Sequence, residues 1–122
     1  MFKLRLIFFC LIGLSSINWG QEDPCSVDDK KMRKMLTEAL AEKDFNGQTT
    51  QFAALIKKYP NYAACYYYYA QLCYQQASYK LSSDPNSSEG ETLLKKAILF
   101  YQNTIQKCPS FHSDCYYYCG KV

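Results

Sequence analysis

The chain has 122 residues, with 14 Lys and Arg, 11 Asp and Glu, and a single His. That length allows one domain with a modest core, which crosslinks or a stacked partner would help to stabilise. Leaving out Lys3 and Arg5 of a leader-like start, 12 basic residues face 11 acidic ones; such a chain lacks the basic excess with which nucleic-acid binders displace counterions.

Residues 1–20, MFKLRLIFFCLIGLSSINWG, have the three-part layout of a secretory signal peptide. Lys3 and Arg5 supply the positive start, Leu6 to Leu14 the apolar stretch, and Gly20 a small residue at the end. The apolar run is shorter than the roughly 20 residues a membrane span needs. No second such run follows, so no membrane span is expected once the leader is cleaved. A secreted, periplasmic or cell-envelope location is the expectation, with residues 21–27 as a short lead-in to a helical domain over 28–122.

The helices follow in order. Asp28 or Asp29 can cap a first helix carrying Met32, Met35, Leu36 and Leu40 at amphipathic spacing and ending near Asp44. Asn46-Gly47 reads as a turn. A second helix is expected from about Thr49 to Tyr59, with Phe52, Leu55 and Ile56 inward and Pro60 as its stop. A third runs from near Asn61 through Tyr66–Tyr69 to about Tyr79. Residues 82–88 then read as a loop, and Ser88 with Glu91 as a capping box. The fourth helix carries Leu93, Leu94, Ala97, Ile98, Tyr101 and Ile105, and Pro109 closes it. A short last helix is expected from His112 to Cys119, ending at Gly120. Nothing alternates long enough to suggest a sheet, so the fold class is all-α.

Beyond Cys10 of the leader, six cysteines remain: Cys25, Cys65, Cys73, Cys108, Cys115 and Cys119. An even number in a small exported chain points to disulfides, and leaves no free thiol expected. Cys65 and Cys73 would lie about 12 Å apart along one helix. Cys115 and Cys119 would lie one turn apart. Neither spacing suits a bridge, which wants Cβ atoms about 4 Å apart. Bridges should therefore join different helices; the pairing stays open among the fifteen possible sets, with Cys73 to Cys119, on neighbouring first helices of successive pairs, as one candidate. With one His and no C-x₂-C, neither a zinc site nor a thioredoxin-like centre is expected. No cofactor and no catalytic motif stand out, so binding rather than catalysis is the reading. Asn86-Ser87-Ser88 matches the acceptor pattern for N-linked glycosylation.

An internal echo links the two halves. Lys57-Lys58-Tyr59-Pro60-Asn61-Tyr62 is answered by Gln106-Lys107-Cys108-Pro109-Ser110-Phe111, and each is followed by Cys-Tyr-Tyr-Tyr, at Cys65–Tyr68 and Cys115–Tyr118. Tyr66, Tyr69, Ala70 and Cys73 keep the spacing of the W-x₂-L-G-x₂-Y opening of a tetratricopeptide repeat. Ala97 with Tyr101, and then Pro109, keep its later positions. On these residues the chain resembles that family, in units of about 28–60, 61–109 and a partial 110–122. Pro60 and Pro109 are 49 residues apart, against a family repeat of about 34, which leaves about 15 residues for an insertion near 80–90.

The resemblance implies antiparallel helix pairs stacked as a short superhelix, the first helix of each pair lining a concave groove. By that mapping Lys30, Arg33 and Thr37 face the groove in the first unit, Ala64, Tyr67, Gln71 and Tyr74 in the second, and Tyr116 in the third. Two cations followed by tyrosines would suit a protein or peptide partner with an acidic end. The alternative is a cell-envelope glycan stacked on surface tyrosines. The oligomeric state stays open.

Overall fold

The computed structural model describes residues 23–120; the leader lies outside them. Among these residues the chain is all-helical: α1 (Lys30–Ala41), α2 (Phe45–Lys58), α3 (Ala63–Ser83), α4 (Ser88–Lys107) and α5 (Asp114–Gly120). Asp29 opens α1 in an extended conformation, and its carboxylate accepts the Met32 N–H at 2.8 Å. That contact holds the Asp29 carboxyl below the usual carboxylate range. The helix buries Met32, Leu36 and Ala39 along one stripe. Leu40, expected inward, is largely exposed.

Asn46-Gly47 is not a turn. Asp44 is the N-cap of α2, its side chain accepting the Gly47 N–H at 3.0 Å, so the helix begins four residues earlier than expected. A Cβ on Gly47 would lie 3.0 Å from Glu42 Cγ, and the glycine gives that side chain room.

The third helix also outruns its expected end. Ser82 and Ser83 turn their hydroxyls back to the carbonyls of Ser78 and Tyr79, which lets polar residues close the helix rather than start a loop. Ser87, not Ser88, caps α4, accepting the Gly90 N–H at 3.0 Å. Gly90 sits so close to α3 that a Cβ would approach Leu81 Cγ to 2.9 Å. Residues 80–90, expected to hold an insertion, are mostly helical here: α3 has 21 residues and α4 has 20.

Helix α3 is central. Residues Ala63–Tyr67, Tyr69, Ala70, Leu72, Cys73 and Ala77 are all buried, which wraps apolar contact around most of its circumference. Its most extensive partner is α4, while α1 pairs with α2 and α5 lies on α4. Stacked rings join three helices: Phe52 on Tyr69 at 5.2 Å and Tyr69 on Phe100 at 4.4 Å. Lys96 Nζ donates to the Tyr69 hydroxyl at 2.8 Å. A second column runs from Tyr101 to Tyr118 at 5.1 Å and from Tyr118 to Tyr74 at 4.4 Å. Aromatic pairs of this kind add about 0.5–1.5 kcal/mol each beyond the area they bury.

The disulfide joins Cys25 to Cys108, 83 residues apart. It fastens the lead-in to the end of α4. The lead-in passes the start of α3, where Pro24 O accepts the Ala63 N–H at 2.8 Å and Asp29 Oδ2 accepts the Tyr62 hydroxyl at 3.1 Å. These contacts replace a side-chain cap, which α3 lacks. The candidate Cys73–Cys119 bridge does not form, and Cys65, Cys73, Cys115 and Cys119 are free thiols. Cys73 lies near the Lys96 ammonium, and Cys119 Sγ lies 4.0 Å from the Ile98 carbonyl. Burial pushes Cys65 up to about 12 and Cys73 and Cys115 up to about 11, which makes them poor nucleophiles.

Candidate functional site

The residues assigned to a single groove separate into two environments. Lys30, Arg33 and Thr37 are exposed together on α1. With Lys34 and Glu38 they line a shallow depression of about 360 Å³. Their positions i, i+3, i+4, i+7 and i+8 follow one helical stripe, so the local sequence alone brings them together.

The second-unit stripe is packed instead. Ala64 is buried and Tyr67 is 4% exposed. The Tyr67 ring lies 5.3 Å from Phe111, 6.0 Å from Tyr101 and stacks on His112 at 5.0 Å. Burial, and then the nearby Asp114 charge, push its hydroxyl up to about 12. Gln71 Nε2 donates to that hydroxyl at 2.9 Å, and half-buried Tyr74 packs on Tyr118. Tyr116 is exposed, but its hydroxyl donates to Pro109 O at 2.9 Å. The segment from Phe111 to Tyr118 therefore covers the face that the family mapping leaves open.

Two features escaped the sequence reading. One is an open groove of about 500 Å³ between α1 and α2, lined by Met35, Ala41, Ala54, Glu38, Glu42 and Gln51. Small side chains at Ala41 and Ala54 leave the gap, and Gln51 Nε2 donates to Glu42 Oε2 at 3.1 Å on its rim. The signal was the outward placement of those alanines, visible only once α1 and α2 are set side by side. The other is the run Lys30-Lys31-Met32-Arg33-Lys34, of which only Lys30 and Arg33 were singled out. Among the described residues the ion pairs are Lys80–Glu89 at 3.1 Å and Lys95–Glu91 at 3.3 Å, and neither involves the cations of α1.

Among the described residues no helix is long and apolar enough to cross a membrane. The disulfide is consistent with an extracellular location. No family model, curated protein or solved structure matches the chain.

Proposed function

We propose that the chain is an exported, tetratricopeptide-like helix-pair module that binds a protein or peptide partner along its first helix pair. The observation that carries this reading is the groove between α1 and α2. It has an apolar floor at Met35, Ala41 and Ala54 and a hydrogen-bonding rim at Glu38, Glu42 and Gln51. A partner segment would set an apolar side chain on the floor and offer donors to the rim carboxylates. This is the usual division of labour in a recognition cleft. Lys30, Arg33 and Thr37 stand at the neighbouring edge, since Glu38 lines both depressions.

The repeat reading draws support from the tyrosines of the echo. Tyr66 donates to Pro60 O at 2.8 Å, as Tyr116 donates to Pro109 O at 2.9 Å, so the matched residues make matched contacts. Sugar stacking on Tyr67 or Tyr74 has less support, because both rings are committed to packing.

The test is crosslinking capture from the secreted or envelope fraction, comparing the chain with Ala54→Gln, which fills the groove without adding charge. Capture of a defined protein that falls at least tenfold in the variant supports the reading. Unchanged capture in a variant with an unaltered helical circular-dichroism spectrum overturns it.

A further inference from the structure

The run Lys30-Lys31-Met32-Arg33-Lys34 places four cations in five residues of a chain whose remaining charges nearly balance. All four are exposed, while Met32 between them is fully buried. At about 100° per residue the cations fan over an arc of about 160°, opposite the buried strip of Met32, Leu36 and Ala39. They form the whole outer surface of the first turns of α1.

This arrangement works against the helix that carries it. Cations at a helix N-terminus oppose the macrodipole. Lys30 with Arg33, Lys30 with Lys34 and Lys31 with Lys34 also put like charges at repelling spacings. No acidic residue occupies the first turn, and none of the four cations makes an ion pair with another described residue. Lys57 and Lys58 are the contrast: they sit in the last turn of α2, where the dipole favours them. The cations themselves, not the helix end, make the face, because Asp29 already accepts the Met32 N–H there.

We propose that this face binds an anionic polysaccharide, one carrying sulfate, phosphate or carboxylate groups along its chain. Charge complementarity selects a polyanion. A membrane surface is the poorer fit, because interfacial helices set apolar side chains beside their cations, whereas the one apolar side chain within the run is buried. An acidic peptide is also the poorer fit. Peptides are held in grooves or at sheet edges as well as by charge, whereas the four cations stand on the outer surface of one helix. Closely repeated charges on a hydrated chain need no pocket. The proposal is independent of the groove reading above.

The probe is heparin, with polyglutamate and anionic phospholipid vesicles as parallel arms, tested on the full chain and on two variants. Lys30→Glu/Arg33→Glu changes the proposed face, and Lys57→Glu/Lys58→Glu makes an equal charge change elsewhere. Heparin should bind the unaltered chain and weaken on the order of 10- to 100-fold when salt is raised about fourfold. The first variant should lose at least tenfold in affinity with its helical spectrum intact, and the second should lose less than threefold. Ala54→Gln should leave heparin binding unchanged, which separates this result from the groove test. Absence of heparin binding, equal loss in both charge variants, or equal or tighter binding to polyglutamate or to vesicles overturns the proposal.

Discussion

The same four letters, Cys-Tyr-Tyr-Tyr, open α3 at Cys65–Tyr68 and fall in α5 at Cys115–Tyr118, yet their middle tyrosines have opposite fates. Tyr67 is 4% exposed and Tyr117 is 58% exposed. The first residues behave alike: Cys65 and Cys115 are both buried, and Tyr66 and Tyr116 both tie back to a proline carbonyl. Local geometry therefore repeats and burial does not. Tyr67 is covered because Phe111, His112 and Tyr101 close over it, whereas Tyr117, edge-on to Tyr118 at 5.3 Å, keeps more than half of its surface exposed. A repeat dictates what a side chain can reach; its neighbours in the stack decide whether it is core.

The comparison breaks most sharply by truncation. Tyr67→Ala removes a buried ring packed against several others and should cost about 3–5 kcal/mol. Tyr117→Ala should stay within about 0.5 kcal/mol, as exposed substitutions usually do. Urea unfolding of both variants measures the difference, and equal losses would show that the cover over Tyr67 does not form.

The disulfide acts on that cover. Cys108 lies just ahead of Phe111 and His112, so the bond to Cys25 anchors the turn that closes over Tyr67. Replacing both cysteines by alanine should cost about 2–4 kcal/mol, chiefly by freeing the unfolded chain. It should also make the fluorescence of the tyrosines more accessible to quenchers. A stability unchanged by the double substitution would remove this role.

Alkaline pH should loosen the same region. Unfolded thiols ionise near 9.0 and tyrosines near 10.0, while in the fold Cys115 is held up to about 11 and Cys65 and Tyr67 up to about 12, all chiefly by burial. Above pH 9 the unfolded chain therefore binds fewer protons than the folded one. Stability is present in full below that point and falls steadily as pH rises to about 12. Denaturant midpoints across that range check the sign, and a flat profile would mean that these groups are solvated.

Much of the fold was legible because apolar spacing fixes helices whatever surrounds them. Met32 with Leu36, Phe52 with Leu55 and Ala97 with Tyr101 each marked a buried side. The misjudged boundaries, at Asp44, at Ser82-Ser83 and at Ser87, all turned on side chains that satisfy backbone groups of a helix end from either side of it. The disulfide was illegible for a different reason. Cys25 lies outside every helix, and no helical spacing relates it to Cys108. On α1 the exposed residues could be read because one helix positions them all. The α1–α2 groove could not, since it exists only between two elements. The tyrosine stripe misled because four successive tyrosines satisfy every face of a helix at once, so their pattern carries no direction.

The smallest effect is the most direct probe of the echo itself. Tyr66→Phe and Tyr116→Phe delete the same kind of hydroxyl, each bonded to a proline carbonyl at 2.8 and 2.9 Å. Tyr66 is 8% exposed and Tyr116 is 51% exposed. A hydrogen bond shielded from water should contribute about 1 kcal/mol, and one at the surface less than about 0.5 kcal/mol, since water takes its place. Urea midpoints measured at a common slope resolve the two. If Tyr116→Phe costs as much as Tyr66→Phe, then α5 is shielded as fully as α3, and the difference between the two copies lies in their rings rather than in their access to water.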